Sequence, residues 1–355
     1  MKNIVLYPYE RSRMMEKIKI ELVSITDYAL SKRKARNTKL DDINNIVDWA
    51  PFERLLKKHI KRKANAVGNP AYPALIMFKC LILQRLYDLS DKEMEESLAD
   101  RLSFLRFVGI GLEDAVPDAS TICRFRNALA RKGLGQKLLD LFTLQLRRQG
   151  LDLKKGIAVD ASIIQSARHP HTVLEPMPED RAEEEVPTMG ISHSDDAEAA
   201  WVKKGNRSYY GYKVHAAGTA EKDIILGGHI TPANHSDMKE LPRVLQEVPA
   251  EPGMRVYADK GYASAENRQE VQRHDFRDGI MRKAMRSKGL SHWEQLRNKS
   301  ISKVRGCIER VFGNLKRNRG FARSRYIGIV KVTQEFFLAA LAANMVRSLS
   351  LLSWE

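Results

Sequence analysis

An all-α segment followed by an α/β segment is the fold class that the sequence predicts. Helical periodicity runs from about residue 71 to Gly150, and short glycine-bounded apolar runs replace it after Gly150. A length of 355 residues also suits two domains better than one. The division expected is a basic N-terminal extension over 1–69, a helical, helix-turn-helix-like domain over 70–150 and an α/β domain over 151–355.

The extension carries SKRKARNTK at 31–39 and KKHIKRK at 57–63, runs that read as solvated faces or tails. PALIMFKCLILQRLYDL is apolar over most of a helix surface, so it predicts the buried helix of a bundle. Ser90, before DKEMEES, is placed as an N-cap with acids in the first turn. A second start lies in VPDASTICRFRNALARKG. Ser120 or Thr121 can cap it, Ile122, Phe125 and Leu129 make one apolar stripe, and Gly133 ends it. Arg124, Arg126 and Arg131 decorate the remaining surface. A helix-turn-helix-like DNA reader needs such a helix, and a small bundle with a wet basic face shows one equally well. Gly135 to Gly150 supplies one more amphipathic helix.

GIAVDASII (156–164) and GMRVYADKG (253–261) then read as strands. YYGYKVHAAGTA and DIILGGHIT read as a hairpin turning near Glu221 and Lys222, and SDMKELPRVLQEV as a helix with Pro242 in its first turns. The order expected is strand, strand, strand, helix, strand, helix. Residues 166–207 interrupt it. Within them, 175–200 holds nine acids and one base, a net −8 against +24 for the rest of the chain, and reads as a mobile surface loop. The closing VTQEFFLAALAANMVRSL is an amphipathic helix, expected to cover the sheet rather than a dimer partner.

Lys and Arg number 60 against 44 Asp and Glu, a formal charge of +16. That excess points to a polyanion such as nucleic acid, although ribosomal, membrane-surface and merely over-charged proteins share it. Cys80, Cys123 and Cys307 are far apart with no CxxC pair, which argues against a disulfide framework or a structural zinc site and for a reducing, intracellular setting. The N-terminus lacks the apolar core of a signal peptide. The longest apolar run, Phe336 to Ala343, is eight residues, against the ~20 needed to span a bilayer. The expectation is a cytoplasmic, nucleoid-associated protein with no membrane partner.

Asp160 follows Ile157-Ala158-Val159, and Asp259 follows Val256-Tyr257-Ala258, so each carboxylate sits at or near a strand end, where ligands gather in open α/β sheets. Singly, each also reads as a capping or turn aspartate. SKVRGCIERVFGNLKR (302–317) puts Val304, Ile308, Val311 and Leu315 on one helical stripe, with Arg305, Glu309 and Lys316 along the next. Arg305 and Glu309 fit a surface i,i+4 ion pair, and a glutamate beside the buried stripe also fits a position facing the strand ends. Between Glu309 and Glu335 lie seven bases, Arg317 and Arg319 among them, interleaved with Phe312, Phe321 and Tyr326. That mixture suits a phosphate backbone and an unstacked base. Three carboxylates beside a basic surface suit hard divalent cations, Mg²⁺ or Mn²⁺, more than zinc. Two such ions serve in-line phosphodiester displacement. His169 and His171 lack a third ligand at sensible spacing. His215 and His229 read as strand residues, and His235 precedes a helix cap at Ser236 or Asp237. Ser162 and Ser264 belong to no Ser-His-Asp constellation.

From about Pro70 to Arg347 the chain resembles DDE-type bacterial insertion-sequence transposases of the insertion sequence 5 family. The resemblance rests on NPAYPALIMFKCLILQRLYDLSD, VPDASTICRFRNAL, VDAS, GYKVH, YADKGY and RGCIERVFGNLKR. It implies that Asp160, Asp259 and Glu309 are the catalytic metal-binding acids, spaced 99 and 50 residues apart. Arg305, Glu309 and Lys316 meet the family's Arg-x₃-Glu-x₆-Lys signature, with Ser302 where relatives often carry tyrosine. The first ~45 residues match no family motif in this reading. A ribonuclease-H-like mixed-sheet catalytic domain, preceded by an all-α helix-turn-helix-like domain, is the implied fold. The implied activity is cleavage at transposon ends to free 3′-hydroxyls and their joining to target DNA, with two Mg²⁺ or Mn²⁺ ions. The implied partners are double-stranded DNA (terminal inverted repeats and target) and a homodimer or higher multimer on it. Arg305 and Lys316 would hold end phosphates. Lys203, Lys204, Tyr212 and Lys213 would line the DNA path or form a solvated strand edge. A nuclease that cleaves without joining, and a DNA-binding protein without catalysis, are the alternatives.

Overall fold

The computed structural model describes residues 38–60, 71–176, 188–249, 251–285 and 289–352. Helices come first: α1 (Lys39–Ile46), α2 (Ala50–His59), α3 (Ala74–Tyr87), α4 (Asp91–Asp100), α5 (Leu102–Val108), α6 (Ala119–Arg131) and α7 (Gly135–Arg148). As its apolar run requires, α3 is buried along most of its length. Ser90 caps α4 in a reciprocal box with Glu93. The cap of α6 is Asp118 rather than Ser120 or Thr121. Its carboxylate accepts the Thr121 N–H at 2.6 Å and both neighbouring hydroxyls, since a full negative charge suits the positive helix end better than a hydroxyl does.

Two helices fall within the expected extension. α1 and α2 bury Leu40, Ile43, Phe52 and Leu56, apolar residues three or four apart in otherwise polar stretches. Residues 31–37 and 61–63 of the basic runs lie outside the described residues.

The main sheet contains β1 (Ile157–Gln165), β4 (Ala200–Lys204), β5 (Arg207–Thr219), β6 (Ile225–Pro232), β7 (Arg255–Ala258) and β8 (Arg277–Ile280), while β2 (His171–Pro176) and β3 (Thr188–His193) form a separate ribbon. Across the sheet the order is β6-β5-β1-β7-β8, with β4 paired to the first residues of β5. β6, β5 and β1 run antiparallel, and β1, β7 and β8 parallel. This is the ribonuclease-H-like mixed sheet that the resemblance implies. Between β6 and β7 lies α8 (Asp237–Glu247). After β7 come a 3₁₀ turn (Lys260–Tyr262), α9 (Ala265–Arg273), β8, α10 (His292–Asn318) and α11 (Ile329–Leu352).

α9 and β8 are additions to the expected order. α9 buries only Asn267 and Val271, and β8 is the four-residue RDGI, so neither shows apolar periodicity. Pro242 sits inside α8, in its second turn. The N–H it lacks would have bonded the Met238 carbonyl, which instead accepts from the Asn267 side chain at 2.9 Å.

α11 departs most from expectation, because it is buried on nearly every side rather than amphipathic. It packs on α1, α3, α6 and α7 and on β6. Gly135 permits the closest approach: a Cβ there would stand 2.2 Å from the Phe337 ring. The helix is 24 residues and apolar enough to cross a membrane by length and composition, and two thirds of its most apolar window is buried within the protein. Asn344, which ends the apolar run, clasps the edge strand β6. Its amide accepts from the Ile225 N–H at 2.9 Å and donates to the Ile225 carbonyl at 2.8 Å.

The acidic stretch is not wholly a surface loop. Residues 177–187 lie outside the described residues, but Asp196 is 2% exposed and accepts from the Ser166 and Tyr212 hydroxyls. Glu198 accepts the first N–H of α11, from Ile329, at 2.8 Å. Both acids tie the segment to the sheet and to α11.

Candidate active site

β1 and β7 are parallel neighbours, with Ala158 paired to Tyr257. Two residues past that pair, Asp160 lies within β1, five residues short of the strand end that its sequence suggested, while Asp259 follows the last residue of β7. The charge of Asp259 acts on Asp160. β7 ends at Ala258, and Asp259 opens the 3₁₀ turn by accepting the Gly261 N–H at 2.7 Å. Arg305, on α10, reaches Asp160 Oδ2 at 3.2 Å and is itself buried. Burial pushes the Asp160 carboxyl above its usual range. Arg305 and the Ala161 N–H pull it back, and Asp259 and Asp237 push it up again. Two hard oxygen donors that repel one another are what a divalent cation binds and relieves, so the Asp160–Asp259 pair fits Mg²⁺ or Mn²⁺.

α10 lies against β1, β5 and β7, burying Ile308, Val311 and Leu315 as its stripe predicts. Glu309 is exposed on this helix and makes no hydrogen bond or ion pair among the described residues. Arg305 pairs with Asp160 rather than with Glu309. No three His, Cys, Asp or Glu side chains among the described residues stand close enough together to hold a metal ion. The geometry therefore brings the two aspartates together and leaves Glu309 exposed one turn beyond Arg305 on α10, outside the pair. Lys316 donates to the Ile163 carbonyl at 2.8 Å, and burial, then Lys204, lowers its pKa.

The other bases expected at DNA divide in two. Arg124, Lys203, Lys204 and Arg317 are exposed. Arg126 and Arg319 are not, which corrects the reading of both as surface contacts. Arg126 forms a two-point ion pair with Asp91 at 2.5 and 2.8 Å, and Arg319 donates to the Leu86 carbonyl at 2.9 Å. Lys213 is nearly buried, 2.8 Å from Asp237 Oδ1 and 2.6 Å from the His235 carbonyl. Tyr212 is wholly buried, so it lines no DNA path. His215 and His229 pair across β5 and β6 with stacked rings 5.2 Å apart. They bond Thr231 and Glu240 at 2.9 and 2.8 Å.

Sequence reasoning missed Asp237 and Tyr262. Asp237 appeared as a helix cap, yet it lies in the first turn of α8 with its charge felt at Asp160. Tyr262 is 1% exposed, and its hydroxyl has no hydrogen-bond partner among the described residues. Nothing in YADKGY signals that the ring turns inward.

Residues 152–345 match the family model described as "Transposase DDE domain", and residues 28–128 match that described as "Transposase domain (DUF772)". The second match takes in α1, α2 and part of the first ~45 residues, which the motif reading left without a family. The transposase for insertion sequence element IS1106 of Neisseria meningitidis serogroup B is 40% identical over 238 residues, covering 65% of this chain and 78% of that protein. A cryo-EM structure of the piggyBac transposase synaptic complex with hairpin DNA aligns with 87% of this chain and 73% of that one, at 10% identity and a TM-score of 0.38, too low to carry an argument. With a DDE domain model spanning more than half the chain and a relative matched over most of its length, this protein belongs to the DDE transposases.

Proposed function

We propose that the protein binds the ends of an insertion sequence, hydrolyses phosphodiester bonds there to free 3′-hydroxyls, and joins those hydroxyls to target DNA. The observation that carries this reading is the neighbouring placement of Asp160, within β1, and Asp259, just past the end of its parallel neighbour β7, with Arg305 paired to the first. Bound there, two Mg²⁺ or Mn²⁺ ions would supply charge stabilisation of an in-line displacement. Asp160 and Asp259 would hold them, and Glu309 would complete the set by turning from its exposed position toward the two aspartates. Arg305 favours the charged form of Asp160 against the burial that opposes it, and Lys316 brings a positive charge to the far end of β1.

Duplex DNA, both terminal repeats and target, is the partner that the +16 charge serves. Exposed Arg124, Lys203, Lys204 and Arg317 would contact its phosphates. In this reading the helices up to residue 150 recognise ends, residues 151–355 cut and join, and a homodimer or higher multimer on the DNA brings two ends together, in the cytoplasm beside the nucleoid. Asp160→Asn, Asp259→Asn and Glu309→Gln should each abolish Mg²⁺-dependent cleavage and strand transfer while end binding in gel shifts persists. Full cleavage by any one of them removes that residue from the assignment. Cleavage without covalently joined end–target products would make the protein a nuclease.

A further inference from the structure

Tyr262 lies three residues beyond Asp259, at the end of the 3₁₀ turn, and this turn packs on α8. Its backbone is fixed on both sides: the Tyr262 N–H donates to the Asp259 carbonyl at 3.2 Å, and the Tyr262 carbonyl accepts from the Asn267 side chain at 3.0 Å. The ring is 1% exposed, so the hydroxyl cannot turn out to water. Yet it has no partner among the described residues, a costly state for a buried donor. The charged groups that bear on it are Asp160, Asp237, Asp259 and Arg305. Lys213 stands 2.8 Å from Asp237 Oδ1, which offsets part of that carboxylate's charge. Asp160 shares one oxygen with Arg305, and Asp259 shares one with the Gly261 N–H. Each of these two acids therefore keeps acceptor capacity that the phenol can use.

We propose that Tyr262 is a positioning residue for the cation site: its hydroxyl donates to the Asp160–Asp259 carboxylate pair when a divalent cation draws the two acids together. The free protein carries the donor unsatisfied, and the loaded site satisfies it. This inference rests on the reading of Asp160 and Asp259 as cation ligands.

The test uses the full chain, Mn²⁺ as the probe, and Tyr262→Phe, which deletes the hydroxyl and keeps the ring. Mn²⁺ binding is followed by electron paramagnetic resonance of the free ion, and melting is followed with and without Mn²⁺. The expected result is Mn²⁺ affinity lowered roughly ten-fold, on the scale of one hydrogen bond to a charged group, with cleavage partly restored at saturating Mn²⁺. Melting without Mn²⁺ should be unchanged or raised, since the variant removes an unsatisfied buried donor. Wild-type Mn²⁺ affinity in Tyr262→Phe overturns the proposal, as does a lowered melting point without Mn²⁺, which marks a purely structural hydroxyl. Asp160→Asn separates the two claims. If it binds Mn²⁺ as well as wild type, the cation reading itself fails. If it does not, and Tyr262→Phe does, only the role of Tyr262 falls.

Discussion

His215 shows how far a fold can move one side chain from its behaviour in water. It is wholly buried between β5 and β6, and burial, reinforced by the His229 charge, lowers its pKa to about 3. The folded protein therefore keeps it neutral at pH values where the unfolded chain, near its usual 6.5, takes up a proton. Between those two values the unfolded state binds more protons, so stability falls as pH drops. Urea unfolding should show His215 contributing up to about 2 kcal/mol of the loss between pH 7 and pH 5. His215→Gln should flatten that dependence; an unchanged slope would mean that the imidazole is charged in the fold. The strand that holds Asp160 and the strand that leads to Asp259 lie at the legible end of the same scale, because glycine and short apolar runs mark both. Arg126 and Arg319 lie at the other. A helix pattern tells which face a base occupies, but only packing against Asp91 and Leu86 decides that those faces are closed.

At the scale of elements, short-range chemistry was readable and long-range exchange was not. The capping box at Ser90 and the buried run of α3 need only neighbours a turn away, and both form as their residues dictate. The break in α8 is repaired from outside. Pro242 strips the Met238 carbonyl of its helical donor, and Asn267, at the start of α9, supplies a replacement while also holding the Tyr262 carbonyl. Asn267→Ala should cost about 1–3 kcal/mol by urea unfolding, the range for leaving buried acceptors unmet. Adding Pro242→Ala should recover part of the loss by returning the N–H to the helix. If it recovers none, the Met238 carbonyl is not where the cost lies. α9 itself escaped the sequence because its inward residue at this position is polar, and apolar periodicity cannot register an asparagine that works by hydrogen bonding.

For the whole molecule, the helices and the sheet share one continuous core rather than two. A charged seam runs through it. Arg85 on α3 is 2% exposed and pairs with Glu335 on α11, 1% exposed, at 2.9 Å. Glu335 also accepts the Ser324 hydroxyl at 2.7 Å, and Arg126 lies 4.4 Å over the Tyr326 ring. Glu335→Leu should destabilise the protein by about 3–5 kcal/mol, because it strands the Arg85 charge. Arg85→Met with Glu335→Leu should cost much less, and additive losses in urea unfolding would show that the two charges do not depend on each other. The bases 319–325 looked like a DNA track in sequence because nothing local reveals that Arg319 and Arg325 reach back to the end of α3 and to Asp88 just beyond it. The placement of α11 has a practical corollary. Severing the chain near Gly150 to obtain a free-standing catalytic fragment would strip α1, α3, α6 and α7 from one side of that helix. Its bare phenylalanines and leucines would then face solvent as a sticky stripe, so engineering should keep the helical segment and the sheet together on a single polypeptide.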